Sequence, residues 1–401
     1  MSALEGSAVL HSVGVASHPL HGRASTFAAR FGPPAIASQL KPPYGSGSQN
    51  NPCQINGKEA GGSAMLGFVT KPRRQAIAFA CFVGLVCIAA TPTMAQDKIV
   101  IKFGWSASDG PQDPYAVGAR IFKERLERAT GNRVDVQLYP NRQLGEEKTM
   151  VEGMRLGTVD AGIITNAVLA QIEPTLQVND LPFLFANEKQ ARALLDGPVG
   201  QKLAANLEKR NVKLLAWMEG GFRNMINNVR PVNKPDDVAG VKYRVMQNPV
   251  YISMFSSLGG NAVPMAWGET FTAVQQGAVD GLEIPLAIID QSKFYEVTKY
   301  LSITNHTYSA IGMVMSKRTF DRMPADIQKA IIEVSAPSAK AQREAATATA
   351  SEILARLEKS GMKVNRIADV KPFRASVQGV YEKFKDSIGA ELLKETLASV
   401  Q

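Results

Sequence analysis

The chain has 401 residues, with 45 Lys/Arg against 36 Asp/Glu, three cysteines and four histidines. Cys53, Cys81, Cys87, His11, His18 and His21 all fall before residue 96, so the remaining 306 residues hold no cysteine and one histidine, His306. That stretch therefore excludes a disulfide framework, a thiol nucleophile and a Cys/His zinc site. A Ser-His-Asp triad would have to use His306, and the sequence has no GxSxG, GxxxxGK[ST] or HExxH.

Residues 1–64 are rich in Gly, Ser, Pro and His and show no apolar period, a composition that cannot bury enough surface to fold. Lys71, Arg73 and Arg74 then precede an uncharged apolar run over 76–90, followed by Thr93-Met94-Ala95. This is the pattern of a secretory signal peptide. The run is too short for a comfortable membrane span, which needs about 20 residues. We read 65–95 as a leader starting at Met65 and cut after Ala95, and 1–64 as a disordered or misassigned extension. Seven Lys/Arg and two Asp/Glu lie in 1–95, so the mature chain keeps 38 and 34, a net charge of +4. No Lys/Arg cluster with interleaved aromatics is present, which argues against nucleic acid as a partner.

A mature chain of this length predicts two domains. Residues 99–103 read as a buried strand and 114–129 as a helix with Val117, Ile121, Phe122 and Leu126 on one face. A strand follows over 134–138, a helix over 145–156 ended by Gly157, and a short strand over 161–164. This β-α-β-α-β rhythm implies a largely parallel sheet with helices on its faces. Further on, 212–217 reads as a strand broken at Gly220-Gly221, 241–245 as a strand, 250–258 as a helix, 261–264 as a strand and 270–277 as a helix. Residues 279–283 return toward the sheet. The C-terminal part is helical, with an Ala-rich segment from Pro324 to Ser360 that Pro337 should kink or divide. A helix of about 35 residues would reach about 50 Å, enough to lie across two domains.

The blocks KFGW (102–105), LYPNRQLGEEKTM (138–150), LGTVDAG (156–162) and LPFLF (181–185) resemble the dicarboxylate-type substrate-binding proteins of tripartite ATP-independent periplasmic (TRAP) transporters. So do GFRNMINNVRPVNKPDDVAGVKYRVMQNP (221–249), LGGNAVPMAWGETFTAVQQGAVDGLEIP (258–285) and KFYEVTKYLSITNH (293–306), in that order. The resemblance covers nearly the whole mature chain. It implies an α/β, two-lobed periplasmic binding protein fold with a long helix spanning both lobes. Lobe one is expected at 96–220 plus 310–349, and lobe two at 221–309 plus 350–401. The implied function is capture of a small organic carboxylate, C4-dicarboxylate by default, in the cleft, and delivery to a permease of small and large membrane subunits. No catalysis, cofactor or metal is implied. A binding protein for an ATP-driven transporter or a sensor is the alternative, and a periplasmic carboxylate-using enzyme a more distant one.

By the same resemblance, Arg244 in VKYRV grips the ligand carboxylate, which a guanidinium matches with a planar fork of donors. Arg223 in GFRNM is either a second ligand contact or a hinge residue paired with acids. Asn248 is a rim contact or a turn residue before Pro249. Thr165 and Asn166 follow a strand at an edge where α/β sheets bind ligands, and Trp105 and Ser106 lie at a similar edge. Trp217 and Trp267 could each floor a pocket, with Trp217 better placed in a core. Glu269, Asp280, Glu283 and His306 read as structural. The family commonly carries DGQENP where this chain has Asp280-Gly281-Leu282-Glu283-Ile284-Pro285. Ile284 thus replaces an asparagine that helps hold the carboxylate in several members. This predicts a more apolar pocket and a less hydroxylated ligand than a sialic-acid-like sugar.

Overall fold

The computed structural model describes residues 98–400. The extension over 1–64, the leader over 65–95 and the cut after Ala95 lie outside the described residues.

The strands are β1 (Ile99–Gly104), β2 (Val134–Tyr139), β3 (Ala161–Thr165), β4 (Val212–Asn227), β5 (Lys242–Val245), β6 (Asn261–Pro264), β7 (Gly281–Pro285), β8 (Tyr300–Ser316) and β9 (Lys363–Arg366). The helices are α1 (Pro114–Ala129), α2 (Glu147–Leu156), α3 (Asn166–Leu169), α4 (Glu188–Asp196), α5 (Pro198–Glu208), α6 (Pro249–Ser257), α7 (Trp267–Gln275), α8 (Leu286–Gln291), α9 (Lys317–Asp321), α10 (Ala325–Lys359), α11 (Lys371–Ile388) and α12 (Ala390–Ser399).

The strands make one sheet in the order β2-β1-β3-β8-β4-β7-β5-β6, with β9 beside β8. At one end β1 runs parallel to β2 and β3; at the other β5 runs parallel to β6 and β7. Between them β4 and β8 pair antiparallel along nearly their whole lengths. The architecture is the two-lobed periplasmic binding protein fold. Each terminal parallel set is a β-α-β unit, and the two long strands pass from one to the other. Apolar side chains fill both faces of the sheet: Ile101, Phe103, Phe122 and Met313 belong to one cluster, and Met150, Leu203, Phe255 and Val380 to the other.

The elements expected in the first third match the structure to within a few residues. Asp113 caps α1 through its side chain, with Pro114 at the first helical position, and Gly157 ends α2 in the left-handed region at φ 84°. One expectation is corrected and one is narrowed. Gly220-Gly221 does not break the strand at 217, because β4 continues to Asn227. Gly221, at φ 97°, instead absorbs a register shift against β8 between Glu219 and Gly221. A Cβ at Gly220 would meet Ser309 Oγ at 2.9 Å, so the two strands pass closely there. Of the two outcomes expected at Pro337, a kink or a division, the division does not occur, since α10 runs 35 residues. Ser335 and Ser338 donate side-chain hydrogen bonds to the carbonyls of Ile331 and Val334 on either side of the missing proline N–H.

Candidate ligand-binding site

The carboxyl ends of β1, β3, β5, β6 and β7 supply the walls of one cavity of about 60 Å³. Ser106 follows β1, Thr165 ends β3, Arg244 lies in β5, Met265 follows β6, and Ile284 and Pro285 end β7. Open α/β sheets bind ligands at this edge of their strands. Arg223 reaches the cavity from β4 and Glu147 from the first turn of α2.

Arg244 is 2% exposed. Its Nε and Nη2 donate to one acceptor, the Met265 carbonyl, at 3.0 and 2.7 Å. Nη1 reaches only the Met246 sulfur, at 3.6 Å, and the guanidinium carbon lies 5.9 Å from the Trp267 ring centre. No carboxylate among the described residues lies within salt-bridge distance of it, and burial lowers its pKa to about 10. A buried cation left to a carbonyl and a sulfur is held at considerable cost, which an incoming anion would relieve.

Arg223 is arranged differently. Its Nε and Nη2 make a fork to the Glu283 carboxylate, Nη2 donates also to the Glu283 carbonyl at 2.8 Å, and Nη1 turns to Ser309 Oγ at 3.4 Å. Burial alone would raise Glu283, but the charge and hydrogen bonds of Arg223 prevail and hold it below its usual value. His306 Nε2 lies 3.4 Å from the same carboxylate and its Nδ1 2.7 Å from Thr304 Oγ1. Burial keeps the imidazole below its usual pKa. Neutral, it donates to Glu283 and accepts from Thr304.

Opposite in charge to Arg244 stands Glu147. Ser106 Oγ donates to it at 3.1 Å, and the Thr165 N–H and hydroxyl donate at 3.2 and 3.0 Å. The Tyr115 hydroxyl lies 2.8 Å from Thr165 Oγ1 and extends the chain. Burial outweighs these bonds and raises Glu147 to about 7.

Of the residues singled out from sequence, Arg244, Arg223, Thr165, Ser106, Ile284 and Trp267 line the cavity. Trp105, Asn166 and Asn248 are not among its lining residues. Trp105 is packed in the core, its indole N–H donating to the Ser108 carbonyl at 3.0 Å. Asn166 donates to the Leu176 carbonyl, also at 3.0 Å. Asn248 caps α6, accepting from the Val250 N–H at 2.8 Å and donating to the Ala167 carbonyl and to Asp180, each at 3.0 Å. These amides are engaged within the protein. Glu147 was missed by sequence reasoning: a glutamate in the first turn of a helix reads as an ordinary partner of the helix dipole. Only its packing against the end of β3 gives it a cavity to face.

The profile of bacterial extracellular solute-binding protein family 7 matches residues 105–387. The chain belongs to this family. It is a TRAP-type solute-binding protein for small organic acids. A sugar acid-binding protein of Advenella mimigardefordensis, solved with galactonate, is 34% identical and superposes with a TM-score of 0.74 over 76% of this chain and 98% of its own. A TRAP solute-binding protein of a Polaromonas species, bound to D-erythronate, is 34% identical with a TM-score of 0.73, covering 75% and 99%. The 2,3-diketo-L-gulonate-binding periplasmic protein of Escherichia coli is 30% identical over 80% of this chain and 97% of its own.

Proposed function

We propose that this TRAP-type protein captures a small hydroxylated monocarboxylic acid, in preference to the C4-dicarboxylate that is the default expectation, and hands it to the small and large subunits of a membrane permease. The observation that carries this reading is the pairing in one cavity of an arginine without an acid, Arg244, and an acid without a cation, Glu147. Arg244 takes the ligand carboxylate. Glu147, Ser106, Thr165 and Tyr115 form a hydrogen-bonding array suited to hydroxyls further along the ligand. A second carboxylate would meet Glu147, which opposes it in its ionised form. Ile284, Met265 and Val168 add an apolar wall, which favours a short acid over a long, fully hydroxylated one. D-erythronate, the four-carbon hydroxylated acid bound to the Polaromonas relative, supports the class.

Closure in this reading moves 96–220 plus 310–349 against 221–309 plus 350–401. The register shift at Glu219/Gly221 supports the boundary. The protein acts by binding and carries out no chemistry, needs no cofactor or metal, and does not engage nucleic acid. It is exported by its leader, cut after Ala95, to work in the periplasm.

A thermal-shift screen of the purified chain against aldonates, C4-dicarboxylates, neutral sugars and amino acids tests the assignment. A ligand at a hundred times its Kd adds about 2.7 kcal/mol to stability. Stabilisation by aldonates above dicarboxylates is expected. Stabilisation by neutral sugars or amino acids alone would overturn the role of Arg244.

A further inference from the structure

The helix α7 begins beside the cavity without a cap of its own. Its N-cap residue, Ala266, has no side chain to accept from the first N–H groups. The missing acceptor comes from the opposite end of the sheet. Glu146, the residue before α2, accepts from the Gly268 N–H at 3.1 Å. Arg142 Nε stands 3.4 Å from the same carboxylate oxygen. A carboxylate at a helix N-terminus satisfies orphan donors and favours the positive end of the helix dipole.

The residue at the contact is suited to it. A Cβ on Gly268 would lie 2.3 Å from Glu146 Oε1 and 3.0 Å from Arg142 Nε, so any larger residue would push the carboxylate away from this position. Gly268 is not in the left-handed region, so the glycine is needed here for approach rather than for backbone conformation. Glu146 follows β2 and α7 follows β6, the two outermost strands of the sheet. The bond therefore joins the two ends of the molecule over the cavity, and both Glu146 and Trp267 line it. On another side, Gln171 Nε2 donates to the Gln247 carbonyl at 2.8 Å, a second tie between the same two ends.

We propose that Glu146 is the closing latch of the cleft: it caps α7 from across the cavity and sets how strongly the closed form is favoured, while ligand recognition is left to Arg244 and Glu147. The proposal rests on the ligand-binding reading of the cavity, and the test separates the two.

The full chain with Cys53→Ser, Cys81→Ser and Cys87→Ser, and with Leu156→Cys and Gln276→Cys on α2 and just past α7, carries one nitroxide on each end of the sheet. Pulsed electron paramagnetic resonance then gives the distance distribution, without ligand and with millimolar D-erythronate as probe. Glu146→Ala and Gly268→Ala are each expected to lower the ratio of closed to open form about fivefold, the size of a lost helix cap. Glu146→Gln, which keeps a carbonyl acceptor, should stay near the parent. Distributions in Glu146→Ala that match the parent in both conditions overturn the latch. If D-erythronate moves no variant, the parent included, but the ligand-free distributions still differ, the latch stands and the choice of ligand class fails.

Discussion

Arg244 and Glu147 share one cavity without sharing a salt bridge. Arg223, beside them, is already neutralised by Glu283. The site therefore keeps one buried cation for a ligand, with the exposed Lys148 also lining it, and one buried carboxyl group whose charge depends on pH.

Keeping that cation should weigh on the ligand-free fold. Replacing even a buried ion pair by apolar residues of similar volume is often neutral or stabilising by about 1–4 kcal/mol, and an unpaired buried cation has less to offset its desolvation. Arg244→Met is thus expected to melt several degrees above the parent in calorimetry, yet to lose affinity for its acid by at least about a hundredfold, since charge-assisted bonds contribute about 1.5–3 kcal/mol each. Arg244→Ala should bind as poorly. Near-parental affinity in either variant would remove Arg244 from the site.

The Arg223–Glu283 pair behaves in the opposite sense. Cutting a buried pair on one side leaves an uncompensated charge and costs about 3–5 kcal/mol. Glu283→Ala should show this loss in urea unfolding. An effect below about 1 kcal/mol would mean that solvent reaches the arginine.

Burial raises Glu147 and Asp180 to about 7. A raised carboxyl binds, in the folded chain, a proton that the unfolded chain has released. Stability therefore falls as pH rises through this range. The melting temperature should increase between about pH 8.5 and about pH 6.5. Below that window His306, kept neutral by burial, works with the opposite sign. Glu147→Gln should flatten the rise, leaving the part due to Asp180. An unchanged slope would show that Glu147 does not titrate there.

Ile284→Asn adds a donor and an acceptor to the cavity wall. Calorimetric titration should move the ranking of acids toward those with more hydroxyls. An unchanged ranking would mean that the side chain does not touch the ligand.

Much of the fold could be read from the chain because its elements are locally encoded. Asp113-Pro114 starts a helix, Gly157 ends one, and 134–138 alternates as a half-buried strand should. The long strand β8 was not read from the chain, because thirteen of its residues pair with strands distant in sequence, β3 and β4. In the site, Arg244 and Arg223 stood out through the motifs that carry the resemblance, VKYRV and GFRNM. Glu147 did not, because its neighbours Ser106 and Thr165 come from other segments. Asn248 and Asn166 looked available for the same reason: the groups that engage them, Asp180 and the Leu176 carbonyl, are brought in by the turn over 174–180. Glycine reading was misleading at 220–221, where conformational freedom allows a strand to bend and continue as readily as to stop.

The passage of β4 and β8 through both ends of the sheet also bears on how such a protein can change over generations. Neither half is a contiguous stretch of gene, so a crossover between two relatives cannot exchange one half as a cassette without splicing foreign strands into a shared ladder. New ligand preferences are more accessible by single-codon changes. The short tract from β5 to β7, which carries Arg244, Met265, Trp267 and Ile284 within about forty codons, is where such changes would alter the cargo while leaving the bending machinery intact.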